Sequence, residues 1–435
     1  MEIKIGMLGL GTVGTGVYQL FQEKRKIYQR ELGCGLTIAK IAVAHLDKER
    51  KVQIPEGILT DNAQEIIEDP GIQVVIELIG GGKGLEHDLA ILKTRKHLIT
   101  ADKLLIATRG DELFQAAAKN NVNLMFGASV GGSIPVVRWL RDGLRADKIK
   151  RLMAIANGTT NFMLAAIAIL SYDTALSLAI SEGYAEPDPT FDVEGLDTAY
   201  KLAILARLAF RQRVTFEHIY PVEGITALEP ADFTYANRWG YVIKLIAWAE
   251  DRDGKLDLRV HPMLIPEEHP LAQIVGANNG FYVEGEAIGE QTLGPGKGAG
   301  PQPTASTVIA DLLQVCQDIK NGQVSAYQIN ALEKVETYPV TKIVSRYFLR
   351  LTLANEAGAL EEVANILKDF GISISAFDQP ETTNPEAEVA LITWPTEDLN
   401  MSKASARFQE SPMVKKAYPS IRILPKEEKG EEHGK

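Results

Sequence analysis

The spacing of apolar and polar positions changes period several times along the chain. Ile3–Leu8 reads as a short buried strand, a helical pattern follows from about Val13 to Arg30, and Leu36–Ala44 reads as a second strand. Strand-like runs recur at Gln73–Ile79, His97–Thr100 and Asn123–Phe126, separated by helical segments at Glu86–Lys96 and Glu112–Asn120. Strands alternating with helices predict βαβ units and a parallel sheet, here over residues 1–130. Residues 131–320 are less regular. They hold helical segments at Ile134–Leu144, Thr174–Glu182 and Leu196–Phe210, strand candidates at Lys150–Ala156 and Gly280–Glu286, and a turn-rich loop over Gly294–Pro303. That mixture predicts an α+β domain. After a linker over 321–345, Tyr347–Leu353 alternates like a strand, Leu360–Phe370 is amphipathic, and Ile372–Phe377 and Glu388–Trp394 alternate again. A helix near Leu399–Gln409 and a strand at Ser420–Leu424 complete a βαββαβ order, that of a ferredoxin-like module over 346–425. The charged tail 426–435 lacks apolar residues and is expected to be disordered.

Composition narrows the classes of function. The 435 residues carry 46 Lys+Arg and 57 Asp+Glu, for a net charge of −11. An acidic chain without a run of five or six basic residues disfavours nucleic acid and anionic membrane as partners. Phe162–Leu170, an uncharged apolar stretch, is far shorter than the ~20 residues that span a bilayer. The Met-Glu-Ile-Lys start runs straight into a strand pattern, which predicts no signal peptide. Cys34 and Cys316 cannot build a disulfide framework, and the histidines show no metal-ligand spacing. The expectation is a reduced, cytoplasmic, multidomain protein.

Gly9-Leu10-Gly11-Thr12-Val13-Gly14 matches G-x-G-x-x-G, between a strand and a helix at the start of a βαβ pattern. The first glycine permits the turn, the second lets a pyrophosphate approach, and the third lets helix and strand pack closely. The helix start then offers N–H groups to phosphates. Ala44–Arg50, after the second strand, carries both acids and bases, which leaves NAD against NADP open. Gly127-Ala128-Ser129-Val130-Gly131 matches the G-x-S-x-G elbow of serine hydrolases, with His218, His261 and His269 as downstream candidates. A dinucleotide fold at the N-terminus does not belong with that scaffold. Gly183–Lys201 is the most informative stretch: a Pro-broken acidic loop runs into Leu196–Phe210, a helix apolar nearly all round. Asp197 and Lys201 lie four apart on one face of it. A surface ion pair would contribute a few tenths of a kcal/mol, whereas a buried pair is costly and marks an active site.

Together with Thr100-Ala101-Asp102-Lys103, Asn157–Phe162, Gly296–Gly300 and Pro303–Ser306, these motifs resemble the homoserine dehydrogenase family with a C-terminal ACT domain, from Ile3 to about Leu424. The C-terminal resemblance rests on Leu349-Arg350-Leu351, the Asn355–Leu360 turn and Gly371–Ile374. It implies a Rossmann-type NAD(P)-binding domain (1–130), a catalytic and dimerisation domain (131–320) and an ACT domain (346–425). The implied reaction is reversible hydride transfer between NADPH or NADH and L-aspartate 4-semialdehyde, giving L-homoserine in threonine, methionine and isoleucine biosynthesis. By resemblance Lys201 is the proton donor, Lys103 a second lysine where cofactor and substrate meet, and Glu186, Asp192 and Asp197 bind the substrate. Gly183 and Gly298 fall where the family's backbone approaches the cofactor.

The sequence departs from the family pattern in several places. Asp102 replaces an asparagine, and Gly127 replaces a glutamate that helps hold a monovalent cation. Val130, Gly132 and Ile134 would still offer backbone carbonyls to sodium. Ala44 and His45 replace an arginine and an aspartate, and Asn355 replaces an aspartate in the loop that takes an effector amino acid such as threonine. The family also implies a homodimer or homotetramer. A diverged homologue that senses an amino acid through its ACT domain, and an oxidoreductase of another amino-acid aldehyde, are the competing readings.

Overall fold

The structure, a computed structural model, describes residues 1–325 and 332–424. The tail 426–435 and residues 326–331 of the expected linker lie outside the described residues. Contacts divide the chain into two compact units assembled from separated stretches. One comprises Met1–Leu152, Ala199–Ile219 and Asn278–Val335; the other comprises Met153–Thr198, Tyr220–Ala277 and Glu336–Lys435.

The first unit holds a six-stranded sheet: β1 (Glu2–Leu8), β2 (Gly35–Ala42), β3 (Leu59–Thr60), β4 (Ile72–Glu77), β5 (His97–Thr100) and β6 (Leu124–Met125). They pair in parallel in the order β3-β2-β1-β4-β5-β6, the doubly wound dinucleotide-binding order. β1 is central, and Ile3, Ile5 and Met7 are fully buried. Helix α1 (Thr12–Leu32) shares their core through Val17 and Phe21, as does the distant helix Pro301–Asn321 through Val308, Leu312 and Val315. Two helical boundaries moved. The helix expected at Glu112–Asn120 starts at Lys103, because Asp102 caps it. The segment expected at Ile134–Leu144 is one α-turn, Val136–Arg138, continued by a π-turn over Trp139–Gly143. The loop expected over Gly294–Pro303 is corrected: Gly289–Lys297 is a strand paired with Asn278–Gly285, and the next helix already starts at Pro301. Proline is well placed at such a start, where no N–H is needed.

In the second unit, Tyr241–Arg252 and Lys255–Pro266 form a long antiparallel hairpin. Its strands are buried over most of their length on both faces, so the sequence lacks the period-two alternation that would reveal them. The βαββαβ order is present. Val344–Ala354, Ile374–Asp378, Glu386–Thr393 and Ile421–Ile423 are the four main strands, with helices Ala359–Asp369 and Asp398–Glu410 between them. Numbered along the module, these strands lie in the order 4-1-3-2, and the last pairs in parallel with Lys255–Pro266. No helix among the described residues is long and apolar enough to cross a membrane.

Candidate active site

The first glycine turn of unit one is built around close approach. Gly9 has φ of +99°, and a Cβ there would lie 2.7 Å from the Leu78 carbonyl oxygen. A Cβ at Gly14 would strike the Gly9 carbonyl, while one at Gly11 would meet nothing within 4 Å. Helix α1 starts from Gly11 with no side-chain cap and no acid in its first turn. Its N–H groups and partial positive charge are therefore left for an anion. A cavity of about 780 Å³ opens on this turn, lined by Gly9, Gly11, Thr12, the end of β2 and Pro301. These residues fit a dinucleotide pyrophosphate.

Buried carboxyls lie at the carboxyl ends of β4 and β5. Glu77 accepts from the Thr100 hydroxyl (2.7 Å) and the Ile79 N–H (2.6 Å). Asp102 accepts from Leu104 and Leu105 at the helix start and from the Gly82 N–H (2.8 Å). As a carboxylate it makes all these bonds as acceptor, with both oxygens engaged. It fastens Lys103 at the first turn of a helix, where a cation opposes the dipole. Asp88 is fully buried behind them; burial, with Glu77 and Asp102 facing it, pushes its carboxyl up to about 9, so it is neutral at pH 7.

Gly127-Ala128-Ser129-Val130-Gly131 is no nucleophile elbow. Gly127–Ser129 is a buried 3₁₀ turn, and the Ser129 hydroxyl donates to the Phe126 carbonyl at 2.7 Å. The expected cation site has no side-chain ligand at position 127. A Cβ at Gly127 would meet Asp311 Oδ2 at 2.8 Å, and that carboxylate already takes the Gly127 N–H (2.9 Å) and Arg138 (2.9 Å). The Gly132 carbonyl accepts from Thr307 (2.6 Å) and that of Ile134 from the Val136 N–H (2.8 Å). Position 127 supplies no ligand, and the nearby carboxylate is neutralised from within the chain.

The second unit gathers acids around an amide. Asn157 caps the helix Gly158–Ile167, its Oδ1 accepting from the Thr160 N–H at 2.8 Å. Its Nδ2 donates to Asp192 Oδ1 and to Asp197 Oδ2, both at 2.7 Å. One neutral side chain thus fixes two carboxylates. Asn161, one turn along, donates to the carbonyls of Ile274 (3.1 Å) and Gly276 (2.8 Å) and accepts from the buried Lys244 ammonium (3.1 Å). Glu186 is exposed on the preceding loop. Gly183 ends the helix Tyr172–Ser181 in the left-handed region, with φ of +74°. Gly298, in unit one, follows the strand Gly289–Lys297 beside Asn279. Motif spelling did not mark Asn157 as a pivot, although an asparagine before Gly-Thr-Thr is a readable cap signal.

The helix Leu196–Phe210 carries Asp197 and Lys201 on consecutive turns, only 2% and 7% exposed. Arg207, farther along, is spent structurally on Asp111 and on the Val214 carbonyl (2.9 and 3.1 Å).

Comparison with known proteins gives a consistent match. A family model described as "Homoserine dehydrogenase, NAD binding domain" matches residues 9–127, and one described as "Homoserine dehydrogenase" matches 135–313. The chain is 36% identical to homoserine dehydrogenase of Bacillus subtilis, over 97% of this chain and 98% of that one. It is 38% identical to that of Corynebacterium glutamicum, over 97% and 95%. The crystal structure of a homoserine dehydrogenase from Thiobacillus denitrificans superposes with a TM-score of 0.90 at 37% identity, covering 98% of both chains.

Proposed function

The chain belongs to the homoserine dehydrogenase family, its reaction is the reversible NAD(P)H-dependent reduction of L-aspartate 4-semialdehyde to L-homoserine, and we propose how its residues share that work. The observation that supports these roles is that one helix carries Lys201, buried, and four residues before it the buried aspartate that Asn157 holds beside a second one. When bound, the dinucleotide supplies the hydride that reaches the aldehyde carbon. Gly9 to Gly14 hold its pyrophosphate, and Gly183 and Gly298 let backbone approach it.

Lys201 manages the proton. As the aldehyde oxygen gains charge, the Nζ ammonium stabilises it and donates a proton; in reverse, neutral Nζ takes the hydroxyl proton. Asp192, Asp197 and Glu186 receive the substrate's α-ammonium through charge-assisted hydrogen bonds. Lys103 adds positive charge toward the reacting carbonyl. The βαββαβ module is proposed as an ACT domain that takes an effector amino acid, threonine first, in a cytoplasmic homodimer or homotetramer. The decisive experiment follows nicotinamide absorbance with purified protein, aspartate semialdehyde and either cofactor. Turnover by the wild type and its loss in Lys201→Ala are the expected results. Cofactor binding without turnover would overturn the assignment of these roles, and calorimetry with threonine tests the module.

A further inference from the structure

A dinucleotide fold distinguishes NAD from NADP beside the carboxyl end of its second strand, where a carboxylate binds a free ribose 2′-hydroxyl and a cation accepts a 2′-phosphate. Here β2 ends at Ala42 and continues as Val43-Ala44-His45-Leu46, with no carboxylate until Asp47, which is exposed and does not line the cavity. Lys48, Arg50 and Lys51 follow, and all three line the same cavity as Gly11 and Thr12. Arg50 is committed to its own loop. Its Nη1 donates to the carbonyls of Leu46 (3.0 Å) and Lys48 (2.6 Å), and its Nη2 to that of His45. The guanidinium therefore winds residues 45–48 around itself, and the side chains of Lys48 and Lys51 stand exposed at the cavity. Two acids also line it, Glu49 and Asp61. Glu49 is flanked in sequence by Lys48 and Arg50, and Asp61 lies past β3 rather than at the end of β2.

We propose that Lys48 and Lys51, held in place by Arg50, form a 2′-phosphate subsite that makes this chain select NADPH over NADH. This rests on the dinucleotide reading of the crevice and deepens it. A 2′-phosphate gives each ammonium a charge-assisted bond that a neutral hydroxyl cannot match. Arg50 is a positioning residue, because it acts through the loop.

The test is calorimetry on the full chain with adenosine 2′,5′-bisphosphate and with adenosine 5′-monophosphate, which differ only in the 2′-phosphate. The bisphosphate is expected to bind at least about tenfold more tightly, an advantage that shrinks as salt is added. In Lys48→Ala/Lys51→Ala the advantage should fall to about twofold or less, with the monophosphate affinity unchanged; Lys48→Arg/Lys51→Arg should keep it. Arg50→Gln should lose part of it. The ratio of kcat/KM for NADPH over NADH should follow the same order. Equal or tighter binding of the monophosphate by the wild type overturns the proposal, as does an advantage that survives in the double alanine variant. Failure of both nucleotides to bind overturns the dinucleotide reading itself, which separates the two failures.

Discussion

Two buried clusters in the second unit hold carboxylates in opposite ways. Around Arg350, a cation does the holding: the guanidinium, 1% exposed, donates to Asp232 (2.6 and 3.2 Å), Glu229 (3.0 Å) and Glu388 (2.8 Å). It also stacks 3.4 Å from the Tyr418 ring centroid. Asp232 and Glu229 lie at the start of the helix Pro230–Arg238, and Glu388 lies on the strand beside that of Arg350. The cluster therefore ties a helix to the sheet of the βαββαβ module. Around Asn157, a neutral amide does the holding, and it brings no charge of its own to Asp192 and Asp197. On the proposed reading, this orientation serves a substrate ammonium. An arginine both orients a carboxylate and compensates its charge, whereas an amide orients a carboxylate without compensating it.

The contrast can be broken at its strongest point first. Lys201→Ala should lower kcat/KM for aspartate semialdehyde by about 10²- to 10⁴-fold while leaving cofactor affinity, read by fluorescence titration, within about twofold. Arg350→Met should do the reverse. It strands Asp232 as a buried charge and should cost about 3–5 kcal/mol in urea denaturation, with kcat/KM of the folded enzyme nearly unchanged. Lys244 gives a pH test of the support beneath Asn157. Burial holds its ammonium down to about 8, against an ordinary value of 10.5. Between those values the folded chain sheds the proton first and the unfolded chain retains it. Stability should therefore rise with pH through that window, by up to about 3 kcal/mol, and Lys244→Met should flatten the rise. Asn157→Ala should raise KM about tenfold, with a smaller fall in kcat, and lower stability by about 0.5–2 kcal/mol through the lost helix cap. The smallest effect lies outside both clusters. Ser129→Ala should leave turnover within about twofold, since its hydroxyl only closes a turn.

How much of this was readable in the sequence depended on the range of the interactions. The strand at His97–Thr100 and the helix Leu196–Phe210 have the bounds expected of them, because each is a mostly apolar run closed by turn or charged residues on either side. The first glycine motif was legible because turn, close approach and helix start all fall within six residues. The hairpin Tyr241–Pro266 was not, since burial on both faces erases alternation. The strand Gly289–Lys297 was hidden for another reason. It is mostly exposed and rich in glycine, and it exists through its pairing with Asn278–Gly285. Asp192 and Asp197 could be named as candidates from their acidic stretch. Their common partner, 35 and 40 residues upstream, could not. Asp88 escaped entirely, because a lone aspartate in a helical pattern reads as a solvated face until burial is known.

By itself the sequence determined the parallel βαβ pattern, the glycine turn that leaves a helix start uncapped, the spacing of Asp197 and Lys201 on one helix, and the family. All of these are local periodicities or short motifs, set by backbone geometry within a few residues. Only the tertiary structure decided which like-looking features act. It buried Ser129 in a turn, filled the space at Gly127 with the carboxylate of Asp311, and turned Asn157 onto two aspartates. It also bound Arg50 to its own loop beside Lys48 and Lys51. Each of these depends on where a side chain's hydrogen bonds and charge are satisfied. That depends on residues distant in sequence, or on how a loop folds back upon itself, and no spacing along the chain encodes it directly.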